Sequence, residues 1–108
     1  MLDPQFKSEW VAALRSGVYQ QTRNTLRLML NGEPPKYYCL GVACELKRKK
    51  IKQNVWDKLE YAGSCNYTTP ANFLKIPVLA SIRYSLLNDI DRKTFAQIAD
   101  IIEKDTTL

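Results

Sequence analysis

The sequence predicts an α+β fold: one small single domain over residues 1–108, in which a β-hairpin, extended by a third strand, packs with about four helices. Three observations predict it. Apolar residues recur at helical spacing near both ends, in Phe6, Trp10, Ala13 and Leu14 and again in Phe95, Ile98, Ala99 and Ile102. Leu26, Leu28 and Leu30 alternate with Arg27 and Met29, the period of a half-buried strand. A chain of 108 residues has the surface-to-volume ratio of one modest core and no room for two.

Each element has its own signals. Pro4 is acceptable at a helix start and Gly17 at a helix end, so the first helix is expected over about Pro4–Ser16. After Leu30, Asn31-Gly32-Glu33-Pro34-Pro35 breaks the strand, and Tyr37-Tyr38 returns as a short second one. Helical spacing resumes from Leu40 to about Lys49, with Leu40, Ala43, Cys44 and Lys47 on one stripe and Leu46 beside it. Gly41, near that start, either lowers helix propensity or permits close packing. Asn54–Tyr61 reads as a strand, and 62–70 as a surface loop. Pro77 opens a helix whose expected core face is Leu79, Ile82, Leu86 and Leu87, stopped by Asn88-Asp89. Thr94-Phe95-Ala96-Gln97 fits a capping box and starts the last helix, which runs to about Glu103.

Composition bounds the chemistry. There is no histidine, which removes Ser-His-Asp and Cys-His catalysis and His-ligated metals. No apolar run approaches the ~20 residues of a membrane helix, and Met1-Leu2-Asp3-Pro4-Gln5 lacks a signal peptide's apolar segment, so a cytosolic protein with no membrane partner is expected. The three cysteines, Cys39, Cys44 and Cys65, are an odd count without an export signal and read as reduced thiols. Three thiols fall short of a zinc site, and on one helix Cys39 and Cys44 would stand about 140° apart. They read as buried structural thiols, with a reactive thiol as the alternative. No metal and no cofactor is expected: Asp89 and Asp91 are too few oxygen ligands for a calcium loop and suit turn and cap duty. Gly17, Gly32, Gly41 and Gly63 are scattered singly, so there is no phosphate loop. No catalytic constellation remains, and the chain is expected not to be an enzyme.

What remains is equipment for binding. The net charge is +5, and it is uneven: residues 1–54 carry ten basic and four acidic side chains, residues 55–108 six and seven. The surplus is densest in the basic patch Lys47, Arg48, Lys49, Lys50 and Lys52. Such a run tracks phosphates, or it is a solvated helix end favoured by the dipole. Arg15, Tyr19, Gln21, Arg23 and Arg27 cluster around the junction of the first helix and the first strand. Guanidinium groups bind phosphate or carboxylate in a bidentate way, and tyrosine stacks on a base or hydrogen-bonds its edge. Tyr37, Tyr38 and Trp56 add aromatic area that serves a partner protein or the core equally well.

Three segments carry a resemblance. Trp10-Val11-Ala12-Ala13-Leu14-Arg15-Ser16-Gly17-Val18-Tyr19-Gln20-Gln21 resembles the opening of a widespread family of small proteins encoded by bacteriophages and prophages. Cys39-Leu40-Gly41-Val42-Ala43-Cys44-Glu45-Leu46 is similar to its central motif. Leu87-Asn88-Asp89, followed by Thr94 through Glu103, is similar to its C-terminal motif. Together they cover roughly a third of the chain in the family's order. Tyr38 stands where that family usually has a cysteine, Thr22 and Asn24 where it often has glycines, and the stretch between Leu46 and Asn88 matches poorly.

The family has no assigned activity, so the resemblance implies an origin, a phage gene expressed in the host bacterial cytoplasm, more than a reaction. Small phage proteins without a catalytic site commonly disarm a host system. The leading expectation is a counter-defence sponge, usually a homo-oligomer, that sequesters a nucleotide second messenger through Arg15, Tyr19, Gln21, Arg23 and Arg27, joined by Asn88 and Asp89. The alternatives are an inhibitor docking on a host defence protein, of anti-CRISPR type, and a small RNA- or DNA-binding accessory protein.

Overall fold

The computed structural model describes residues 2–53, 56 and 68–108. In chain order the elements are α1 (Pro4–Arg15), β1 (Gln20–Gln21), β2 (Arg27–Leu28), β3 (Lys36–Tyr37), α2 (Cys39–Ile51), α3 (Thr68–Leu74), α4 (Val78–Asp89) and α5 (Phe95–Lys104). The fold is α+β, with five helices among the described residues. α1 starts where expected because Asp3 accepts a hydrogen bond from Phe6 N at 3.1 Å and Pro4 occupies the first turn. It ends at Ser16, and Gly17 follows at φ +76°. α5 carries the full reciprocal capping box between Thr94 and Gln97, and buries Phe95, Ile98, Ala99 and Ile102. α1 lies along α5, and α2 runs through the middle of the core, buried from Cys39 to Glu45.

The hairpin is present but short. β2 pairs antiparallel with β3, Arg27 opposite Tyr37 and Leu28 opposite Lys36. Leu26 is buried, Leu28 is half-buried and Leu30 is exposed, so the alternation that suggested a longer strand stops carrying burial after Leu28. Among the described residues a third strand comes from elsewhere than the segment predicted. β1 supplies it, parallel to β3, giving the sheet order β1-β3-β2. Gln20-Gln21 has no strand signal, and its pairing is imposed by the chain returning beside β3. Of the predicted strand Asn54–Tyr61 only Trp56 is described, and it is helical and buried; the rest lies outside the described residues. The predicted loop over 62–70 gives way from Thr68 to α3, with 62–67 outside the described residues.

α4 corrects the expected core face. Leu79 and Leu86 are exposed and Ile82 and Leu87 half-buried, whereas Ala80, Ser81, Tyr84, Ser85 and Asn88 face inward. The reason is what α4 packs against. The start of α2 brings polar groups that need partners: Ser85 Oγ donates to Tyr38 Oη at 3.4 Å and the carbonyl of Tyr84 accepts from Cys39 Sγ at 3.3 Å. Leucines in place of Ser85 and Asn88 would have left the Tyr38 hydroxyl without this partner and Cys39 N buried without an acceptor. Trp10 completes the junction, with Nε1 donating to the Cys39 carbonyl at 2.9 Å and its ring edge-on to Tyr84 at 6.1 Å.

Candidate functional site

The residues singled out as ligand-binding fall into three places. Gln21, Arg23, Asn88 and Asp89 do meet, where β1 passes the end of α4 and the start of α2. Asn88 is fully buried. Its Oδ1 accepts from Gln21 Nε2 at 2.9 Å and from Cys39 N at 3.3 Å, and its Nδ2 donates to the Thr22 carbonyl at 2.8 Å and to Asp89 Oδ1 at 2.9 Å. Both lone pairs and both protons are in use. Gln21 Nε2 also donates to the Lys93 carbonyl at 2.8 Å, Arg23 Nε to the Asn88 carbonyl at 3.2 Å, and Asn24 N to Asp89 Oδ1 at 2.9 Å. The group is a clamp that holds β1 and its following turn to two helices. Tyr38, the residue before α2, makes no side-chain cap, so Asn88 caps that helix from a distance of 49 residues in sequence.

Arg15 is not with them. Its guanidinium faces α5 and pairs with Asp100 at 2.6 Å and Glu103 at 3.0 Å. The hydrogen bonds it donates to Glu103, then to Asp100, raise the arginine pKa further, and Glu103 is held below the ordinary carboxylate value in return. These are exposed pairs that tie α1 to α5 and carry little stability in salt.

Tyr19 and Arg27 lie in the third place, and there they join part of the basic patch. A helix turns 100° per residue, so the contiguous run divides. Lys47 and Lys50 point to the side where α1 and α3 meet α2. Lys47 donates to the Phe73 carbonyl and Lys50 pairs with Glu9 at 2.8 Å. Arg48 and Lys49 point to the sheet side, and Lys52, in the left-handed region at φ +55°, closes the helix. On the sheet side Lys49 Nζ is 3.4 Å from Tyr19 Oη and 5.7 Å from its ring centroid. Tyr19 stands edge-on to Tyr37 at 5.6 Å, Tyr37 is tilted against Trp56 at 5.9 Å, and the Arg27 guanidinium lies 4.5 Å from the Trp56 centroid. Three aromatic rings thus run in a row across the sheet and the end of α2, with Lys49 at one end and Arg27 at the other.

Glu45 sits beneath this row, and nothing in the sequence reading marked it. It is buried, it ion-pairs with Arg48, and it accepts from Trp56 Nε1 at 3.2 Å and Tyr37 Oη at 3.4 Å. The available signal was an acid inside an otherwise apolar helical stretch, three residues before an arginine. Tyr37 is pushed up to about 12 by burial and by the Glu45 charge, so it remains a donor. Burial opposes ionisation of Glu45, but hydrogen bonds from Arg48 and Trp56 and the charges of Arg48 and Lys49 outweigh it and hold the carboxyl below 4.5. A carboxyl whose folded pKa is depressed stabilises the fold above its unfolded value, and that contribution fades as pH falls through the folded value. The stability of Glu45→Gln, followed by urea unfolding from pH 7 downward, is therefore expected to fall less steeply below about pH 4.5 than that of the parent. Equal acid slopes would mean that the carboxylate is not held as its contacts indicate.

The cysteines offer no chemistry here. Cys39 and Cys44 are buried, burial raises both thiol pKa values, and Cys65 lies outside the described residues. Among the described residues no group of three His, Cys, Asp or Glu side chains converges, and no helix is long and apolar enough to cross a membrane.

No curated protein and no solved structure matches the chain. A family model does match, over residues 2–80, a span that takes in α1, the sheet, α2 and α3 together with the Tyr19–Arg27–Lys49 row. With most of its length covered by that match, the chain belongs to the family described as a domain of unknown function, DUF8296.

Proposed function

We propose that the protein is a non-enzymatic binding protein that captures a nucleotide-type anion at the Tyr19–Arg27–Lys49 row. In this reading it is a phage-encoded counter-defence protein, working in the host bacterial cytoplasm by sequestering a nucleotide-derived immune signal, with an oligomer as the working form. One observation carries it: cations from two distant segments, Lys49 of α2 over half-buried Tyr19 and Arg27 of β2 over Trp56, stand at the two ends of the joined rings of Tyr19, Tyr37 and Trp56. Phosphates are held by cations and bases by ring faces, and this row offers both within one patch. Arg15 and Asn88 have no part in it, since their polar atoms are engaged elsewhere in the fold.

The test is a mass-spectrometric search for nucleotides carried by the protein from infected cells, followed by calorimetric titration of what is found. Arg27→Ala and Lys49→Ala are each expected to weaken binding about tenfold while leaving the fold intact. Undiminished affinity in both would overturn the assignment. Affinity for a nucleotide should also fall less steeply with salt than affinity for a nucleic acid, which releases many counterions.

A second reading, an inhibitor docking on a defence protein, is favoured by α4. Leu79, Leu86 and Ile90 are 79%, 44% and 69% exposed. They fall within about 40° of one another on a helical wheel and form an apolar row of the kind that enters a partner's groove. An empty protein whose capture of a host protein is abolished by Leu79→Asp would select this reading over the first.

A further inference from the structure

A cleft between the start of α1, the end of α2 and the end of α3 belongs to none of the groups above. It encloses about 330 Å3, within the roughly 300–1,000 Å3 of small-molecule sites. Leu2, Phe6, Ile51 and Leu74 line it with apolar surface, and Ile51 remains 40% exposed there. Lys47, Lys50 and Lys75 stand around that surface. Lys47 and Lys50 are one turn apart on α2, and Lys75, at φ +60°, follows the last turn of α3.

The charges are unevenly answered. Lys50 has Glu9, and Asp3, the carboxylate on the wall, is engaged in capping Phe6 N. Among the described residues neither Lys47 nor Lys75 has a carboxylate partner, and Lys47 uses one donor on the Phe73 carbonyl with its ammonium 4.9 Å from that ring's centroid, which leaves its other protons for a ligand. Burial, then the nearby charge of Lys75, holds Lys47 below the ordinary lysine pKa. Two ammonium groups facing one apolar space repel each other, and an anion placed between them converts that repulsion into two charge-assisted contacts. The lining contains no amide or hydroxyl side chain, so nothing there reads the edge of a base.

We infer that this cleft binds a small amphipathic anion, its aliphatic body on Leu2, Phe6, Ile51 and Leu74 and its single carboxylate or phosphate head between Lys47 and Lys75. The site is independent of the nucleotide row. An apolar body satisfies the exposed face of Ile51 and the head satisfies the two lysines, which no purely ionic ligand does.

Decanoate, kept below its micelle-forming concentration and titrated into the full chain by calorimetry, is the probe. Saturable binding at one site is expected. Lys75→Gln, at an exposed position, should weaken it about tenfold, Ile51→Ser should weaken it severalfold, and Lys36→Gln, on β3, should leave it unchanged. No saturable binding, or the same affinity in Lys75→Gln, would overturn the proposal. So would binding to vesicles of anionic phospholipid with none to free decanoate, because that outcome assigns the lysines to a membrane surface.

Discussion

Gly41→Ala is expected to destabilise the protein by about 3 kcal/mol, lowering Tm by roughly 10–20 °C. A Cβ at this position would stand 1.9 Å from the carbonyl oxygen of Leu26 and 3.3 Å from Cβ of Tyr37. The first obstacle is backbone. Leu26 immediately precedes β2, and its carbonyl accepts from Tyr38 N at 3.4 Å, so it cannot withdraw without opening the hairpin from α2. The alternative open at the sequence level, poor helix former or close-packing residue, is thereby resolved for close packing. Gly32→Ala is the contrast: nothing lies within 4 Å of its added Cβ, and only the positive φ of 78° is strained. That change is expected to cost about 1 kcal/mol. Thermal unfolding of the two variants side by side measures the difference, and equal losses would show that the contact is not tight.

Asn88→Ala is expected to cost about 3 kcal/mol for a different reason. No large volume is lost. What is lost is the partner of Cys39 N, the Thr22 carbonyl and the Gln21 amide together, in a place without solvent. Asn88→Asp should be at least as damaging at neutral pH. It keeps the acceptor for Cys39 N but sets a second carboxylate oxygen against Asp89 Oδ1 and the Thr22 carbonyl, where Asn88 now donates. Urea unfolding at pH 7 tests both variants. A loss under about 1 kcal/mol in Asn88→Ala would mean that water replaces the amide and that the clamp is not what seats β1.

The clamp shows what much of the three sequence segments does within the fold. Gln21, Cys39 and Asn88 belong to three separate segments, and the first two both donate to Asn88 Oδ1. Arg15 of the first segment pairs with Asp100 and Glu103 of the last. Trp10 donates to the carbonyl of Cys39. Their shared work is holding two helix starts, a sheet edge and the terminal helix in register. The Tyr19–Arg27–Lys49 row and the Lys47–Lys75 cleft, the two sites proposed to bind ligands, lie outside this frame.

Elements whose stability is local were readable from the chain. Pro4 marks the start of α1, Gly17 its end, and the Thr94–Gln97 capping box the start of α5, each within one turn of the residues concerned. The α+β class and the hairpin followed from periodicity and a turn for the same reason. The face that α4 buries did not, because hydropathy ranks leucine above serine and asparagine while the Tyr38 hydroxyl, Cys39 N and the Thr22 carbonyl, which take their partners from Ser85 and Asn88, reverse that order. Nor did the strand character of Gln20–Gln21, which exists only through its pairing with Lys36–Tyr37. The basic run was visible as a run, but its division into two surfaces came from helix geometry combined with the neighbours each side meets. Capping and periodicity act over three or four residues and leave their signature in sequence. The partner of a buried amide or a gathered cation lies tens of residues away, and only folding selects it.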